Sequence, residues 1–404
     1  MRIRIKAYII AGFCLLYGMQ AVMAILLMTR DGIRMHAPAP GITLPRVLPR
    51  VLPREFPRET TVVGDAWIKA GISRIEVRIR GEAGGASWSV PAERDAIKYR
   101  GEVVSLLAAW RTKVSFPSDG NYSLSAIATG SDGLILETRP RRISISSSAA
   151  SREFVFGSPA HLVPLAVVLA LCIAVPLAVR RTRSDLVRDR VAFAITLLLW
   201  VHEIVYEIYW FAIGAWTVGN CLLLHMCALA LMFLPVLYFS RDGGFRQTLF
   251  ELLYFFGLGG AMQALFTPDI GMHGFPELKY FDYFISHGTI VLGMVYAAVL
   301  YPFELTWKSW IRVAVGTLAA TLAAYGLDLL LRFLPPYEVG NYFVMGYPPP
   351  TGSVIDVFAS IFGPSPRYLA GLVLMGLALF GLLYLPYVIR RLARRRSAGV
   401  TPAR

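Results

Sequence analysis

Three histidines and a cysteine of this 404-residue chain lie inside apolar stretches, where ionisable side chains are expensive and mark function by default. Cys227 follows His225 in LLLHMCALAL, and His287 sits in FISHGTIVLGMVY. His202 precedes Glu203 in LLLWVHEIVYEIYW, with Glu207 one helical turn beyond. A thiol beside an imidazole is a nucleophile–base combination. The thiolate attacks a carbonyl, and the imidazole takes the proton and later returns it to the leaving group. Three imidazoles at one depth could instead hold Zn²⁺ with one position open for water, although no HExxH spacing is present. Each residue also has a plainer role: Cys227 as a small apolar filler, His225 as a cross-helix hydrogen bonder, and Glu203 with Glu207 as partners of tyrosines.

The elements that position these groups follow from composition. Hydrophobic residues make up 56% of the chain and charged residues 16%, against about a quarter charged in ordinary globular proteins. This predicts an integral membrane protein and excludes a soluble enzyme. The net charge of +14 does not point to nucleic acid, because the arginines cluster beside apolar runs. All four cysteines (Cys14, Cys172, Cys221, Cys227) fall within such runs, so neither a disulfide framework nor a CxxC pair is expected.

Crossing a bilayer takes ~20 apolar residues. Eight stretches qualify, near 7–29, 160–179, 191–213, 217–239, 247–266, 280–301, 313–334 and 368–389. The first follows MRIRIK and reads as a retained anchor, residues 1–30, with its amino terminus in the cytoplasm. On that basis RRTRSDLVRDR, SRDGGFR, TWKSWIR and the basic tail 391–404 all face inward. The outer loops GAWT and PDIGMHGFPELK carry one lysine between them. The arginine and lysine bias matches the positive-inside rule and places the chain in a plasma (inner) membrane with both termini cytoplasmic.

Residues 31–159 would then lie outside. The repeats LPRV, LPRV, LPRE and FPRE (44–59) predict an extended, proline-stiffened stalk over 31–59. Within 60–150, SRIEVRIRG alternates with Ile75, Val77 and Ile79 on one face. GNYSLSAIATGSDG repeats the period of two through Tyr122, Leu124, Ala126 and Ala128, and RRISIS turns Ile143 and Ile145 inward. Short alternating strands separated by Asp-Gly turns predict a β-sandwich. The order of features, with Trp110 central, resembles a bacterial immunoglobulin-like domain. It implies a docking or structural module, with an extracytoplasmic protein as partner.

Depth decides which polar residues of the helical part, 156–390, can meet. At 1.5 Å per residue, Cys227 would lie ~15 Å from the outer surface, His287 ~11 Å from it, and His202 ~16 Å from the inner one. They share the middle to outer-middle of the bilayer, while Glu251 belongs nearer the inner surface.

Residues 190–390 resemble the YwaF-type integral membrane proteins, grouped with the eukaryotic transmembrane protein 164 acyltransferases. The segments that carry the likeness are LLLHMCALALMFLPV (222–236), ELLYFFGLGGAMQALFTPDI (251–270), FPELKYFDYFISHGTIVLGMVY (275–296), NYFVMGYPPPTGSVIDVF (341–358) and LLYLPY (382–387). The resemblance implies acyl transfer between lipids, with Cys227 as the family cysteine and His287 as the SHG histidine. Gln263, Thr267 and Asp269 fall on its QAL-x-TPD segment, and Asn341 and Tyr342 on its NY motif. Ala228 departs from the pattern, in which an acidic residue follows the cysteine.

The expectation is an α-helical polytopic membrane protein with an inserted extracytoplasmic β-sandwich. It would act as a lipid acyltransferase or lipid-ester hydrolase on a membrane phospholipid or acyl-lipid. Cys227 and His287 would be catalytic, with His225, His202, Glu203, Glu207, Gln263, Asp269, Asn341 and Tyr342 in support. No cofactor is expected. The alternatives are a metal-dependent lipid hydrolase and a non-enzymatic receptor or assembly factor.

Overall fold

The computed structural model describes residues 2–28, 32–37, 55–68, 70–82, 87–99, 102–149, 154–212, 216–219, 221–268, 270, 274–331, 333–334, 340–344, 354–363 and 367–398. Its first part is β-rich. The strands are β1 (Gly32–Ala37), β2 (Glu55–Phe56), β3 (Glu59–Trp67), β4 (Ile72–Gly81), β5 (Ser87–Pro91), β6 (Glu93–Tyr99), β7 (Glu102–Ser115), β8 (Gly120–Gly130), β9 (Ile135–Glu137) and β10 (Arg141–Ile145). One sheet has the order β1-β3-β7-β6. The other runs β2-β10-β8-β4-β5, with β9 also paired to β8.

Every residue that the alternation turned inward is buried: Ile75, Val77, Ile79, Tyr122, Leu124, Ala126, Ala128, Ile143 and Ile145. They form one apolar core with Val62, Ala66, Trp110 and Val114 of the first sheet. The stalk expected over 31–59 is shorter than its composition suggested. Gly32–Ala37 pair with β3, and Glu55–Phe56 pair in parallel with β10. Most of the LPRV/LPRE repeat lies outside the described residues.

The helical part comprises α1 (Arg2–Met28), α2 (Pro159–Thr182), α3 (Asp185–Ala212), α4 (Met226–Phe239), α5 (Gly243–Leu253), a π-helical stretch Tyr254–Gly260, α6 (Ala261–Phe266), α7 (Leu278–Leu300), α8 (Trp307–Leu331), α9 (Val354–Phe362) and α10 (Leu369–Ala398). Among the described residues, seven helices are long and apolar enough to cross a membrane, counting α5 through α6 as one. The eighth expected span, 217–239, is a helix only from Met226, and α4 has 14 residues. At ~1.5 Å per residue it is ~21 Å long, short of the ~30 Å hydrocarbon layer. The Cys227 depth drawn from a helix starting at Thr217 therefore does not hold. The basic tail begins as a continuation of α10, and α1 is more than an anchor, because Phe13 meets Trp200 of α3 and Phe233 of α4 edge-on.

Local sequence explains how the polar residues are placed. The buried stripe of α3 is Ala192, Ile195, Thr196, Leu199, Glu203, Glu207 and Trp210. This is the three-to-four-residue spacing of a helix facing a core, and the stripe turns acidic toward the carboxyl end. On α7, a Cβ at Gly288 would lie 2.6 Å from Val168 of α2. Small residues at such crossings let helix backbones approach. The glycine beside His287 thus seats α7 against α2 and fixes where the imidazole stands.

Candidate functional site

The described residues Trp216–Gly219 and Cys221–His225 lead into α4 without helical structure, apart from isolated turns. Inside an apolar bundle such backbone must find partners within the protein, and here groups from α1 and from the segment 340–344 supply them. Gln20 of α1, 1% exposed, accepts from Leu223 N–H at 3.2 Å and donates to the Cys221 carbonyl at 3.1 Å. Tyr342 donates its hydroxyl to the Val218 carbonyl at 2.5 Å and accepts from Leu222 N–H at 3.0 Å. Asn341 N–H donates to the Gly219 carbonyl at 2.9 Å. Tyr342 N–H in turn donates to Asp328 Oδ1 of α8 at 3.1 Å. A Cβ at Gly340 would lie 2.2 Å from that same oxygen and 2.7 Å from the Asp328 Cα. Only glycine permits this approach.

The held segment delivers His225 as the N-cap of α4 and Cys227 in its first turn. The His225 ring lies 5.1 Å from that of Tyr342. Backbone N–H groups of Cys227 and Ala228 lie against the cysteine sulfur. A helix amino terminus presents free N–H groups and the positive end of its dipole, which is a setting used by reactive thiols.

Opposite stand the acids and imidazoles of α3 and α7. His202 Nε2–H donates to Asp282 Oδ1 at 2.9 Å, with both side chains largely buried. Glu207 accepts from Gln20 Nε2 at 3.0 Å and from Trp216 Nε1, which ties α1 and the lead-in segment to α3. Glu203 is buried and has no hydrogen-bond partner among the described residues. His287 Nδ1 lies 2.8 Å from the Tyr283 carbonyl. A carbonyl only accepts, so this nitrogen carries the proton and Nε2 is left as the basic one. Its ring lies 4.3 Å from that of Tyr283, centroid to centroid, with the planes tilted by 34°.

These groups form one polar neighbourhood. His287 interacts electrostatically with His225 and His202, Cys227 with Glu203, and Glu203 with Glu207 and Asp282. Cys227 and His287 do not hydrogen-bond to each other. Among the described residues, no group of three His, Cys, Asp or Glu side chains could hold a metal ion. The three-histidine zinc alternative therefore lacks a ligand set.

Gln263 lies on α6 with its carbonyl accepting from Thr267 N–H at 2.8 Å and Oγ1–H at 3.0 Å. Asp269 lies outside the described residues. Glu251 stands apart, bound to Arg312, Ser309 and Gln247. Sequence reasoning missed Gln20, Trp216 and Asp282. Asp282 was detectable as a carboxylate inside an apolar span, five residues before His287. Gln20 offered the weaker signal of an amide in the first apolar run.

The β-rich part meets this region through Arg34. It pairs with Asp65 at 2.5 and 2.6 Å and donates to the Trp216 carbonyl at 2.5 Å. Nearby, Arg141 donates to the Met35 carbonyl at 2.8 Å, and burial pushes its guanidinium pKa down to about 10.

Apolar helices around an internal cluster of a thiol, imidazoles and carboxyls, joined to a β-rich region, define a polytopic membrane protein with a polar site inside its bundle. Residues 155–384 match the model of the TMEM164 family, and the chain belongs to that family. The curated proteins contain no match to it. The family match begins at residue 155, so Gln20 and Arg34 come from outside it.

Proposed function

We propose that the protein is a membrane-embedded lipid acyltransferase or lipid-ester hydrolase with Cys227 as nucleophile and His287 as its base. The observation that carries this reading is Cys227 in the first turn of α4, within the polar neighbourhood of a histidine whose Nε2 is left basic. The sulfur attacks an ester carbonyl, with backbone N–H groups at the start of α4 lying against it. His287 accepts the thiol proton across the gap once substrate closes it, since catalytic hydrogen bonds often tighten only in the complex. The surrounding helices provide an apolar bed for the acyl chain, which need not leave the bilayer.

Glu207, Asn341 and Tyr342 serve by holding the lead-in segment, which ends in His225. The β-rich region, whose strand pattern resembles an immunoglobulin-like sandwich, is assigned to the extracytoplasmic side, with both chain termini in the cytoplasm. It would meet a protein partner there, with Arg34 linking it to the segment that carries the cysteine.

The test is acyl-thioester formation on full-length protein in vesicles containing phosphatidylcholine and phosphatidylethanolamine with a fluorescent acyl chain. Wild type should acquire hydroxylamine-sensitive label, whereas Cys227→Ala and His287→Ala should lose it. Equal labelling in all three would sink the assignment.

A further inference from the structure

Three of the histidines differ in what their two ring nitrogens hold. His161, at the start of α2, is filled on both sides: Nδ1 accepts from Gly157 N–H at 3.2 Å, and Nε2–H donates to the Leu265 carbonyl at 2.9 Å. It is a latch between α2 and α6. His287 is held on Nδ1 by its own helix. His202 commits Nε2–H to Asp282, and its Nδ1 is buried with no hydrogen-bond partner among the described residues.

Buried polar atoms in native proteins are nearly all hydrogen-bonded, and each exception calls for an explanation. Here the carboxylate fixes the tautomer and leaves the Nδ1 lone pair open. An imidazole oriented in this way by a carboxylate is built to take a proton from a hydroxyl. Its surroundings are acidic: Asp282 bonds to it, and Glu203, which has no hydrogen-bond partner among the described residues, is its chain neighbour. Asp282 would stabilise the imidazolium as it forms.

We propose that His202, oriented by Asp282, is the base that activates the acyl acceptor, while His287 serves the thiol. This rests on the reading of Cys227 as the acylated nucleophile. In the first step the S–H bond of Cys227 breaks and its proton goes to His287 Nε2. The sulfur bonds to the ester carbonyl carbon, the ester C–O bond breaks, and the alcohol leaves with that proton. In the second step the acceptor hydroxyl, of a lyso-lipid or of water, gives its proton to His202 Nδ1 as its oxygen attacks the thioester carbonyl. The C–S bond breaks and the proton returns to the departing thiolate. His202 is then a catalytic residue, and Asp282 a positioning residue acting through it.

The same fluorescent-lipid vesicles, with lyso-phosphatidylcholine added as acceptor, test the division. His202→Ala should acquire label at close to the wild-type rate but turn over about 100-fold more slowly, the usual contribution of general base catalysis. Thioester should accumulate on it, and added hydroxylamine should discharge that thioester as fast as the wild-type one. Asp282→Asn should move the same way by a smaller factor, with Asp282→Glu recovering part of the loss. A merely structural role would lower labelling and turnover together. The proposal is overturned if the His202→Ala thioester turns over at the wild-type rate, or if that variant forms none. Absence of label on wild type would instead sink the assignment of Cys227 on which it rests.

Discussion

Two buried carboxylate sites of the helical bundle are built on opposite plans. Glu251 is 0% exposed, and its oxygens are saturated. Arg312 donates twice, at 2.5 and 2.6 Å, while Ser309 and Gln247 each donate at 2.9 Å. The cluster around Glu203, Asp282 and His202 is nearly as buried, yet Glu203 has no hydrogen-bond partner among the described residues and His202 Nδ1 is open. A charge that only holds helices together is given donors on every side. Polar groups left buried without a partner carry a desolvation cost that a fully paired site avoids.

Substitutions at the two sites should separate stability from chemistry. Glu251→Ala should have the largest effect on the fold. It leaves Arg312 and Ser309 without their acceptor, and removal of one partner from a buried pair costs about 3–5 kcal/mol. Because Arg312 is 41% exposed, the loss should fall near the lower end of that range. Thermal unfolding in detergent should show it, with the specific activity of the remaining folded protein within about twofold of wild type.

Tyr342→Phe should come next, at about 1–3 kcal/mol, because it orphans the Val218 carbonyl and the Leu222 N–H. Unlike Glu251→Ala, it should also slow Cys227 labelling, since the segment it releases carries His225 and the start of α4. Unchanged labelling would show that the NY motif merely ties α8 in place. Glu203→Gln should have the smallest effect on stability, within about 1 kcal/mol of wild type, because it replaces a carboxyl that has no partner to lose. Deacylation rates should nevertheless fall, and a large drop in melting temperature would show instead that Glu203 is held like Glu251.

Much of the molecule was legible in residue patterns. The period of two in SRIEVRIRG and GNYSLSAIATG predicted which strand residues are buried, because a strand sends alternate side chains to opposite faces. Apolar length located the helices, and Glu251 was correctly set apart from the other polar residues. The helix expected from Thr217 failed for a physical reason. Apolar composition cannot distinguish a span from an irregular segment whose backbone is satisfied by distant groups, here the Gln20 and Tyr342 side chains and the Asn341 N–H.

The candidate site divides along the same line. Sequence by itself determined that imidazoles, carboxyls and a thiol occupy an apolar helical region, since nothing else explains such groups in such surroundings. It also determined the helix faces that Glu203 and Glu207 share, a matter of the 3.6-residue repeat. Only the tertiary structure decided that Asp282 orients His202, that Gln20 of the first helix holds both Glu207 and the Cys221–Leu223 backbone, and that Arg34 reaches Trp216. These pairings join residues 80 to 203 positions apart. Periodicity encodes neighbours on one element, whereas such contacts arise from how the elements cross.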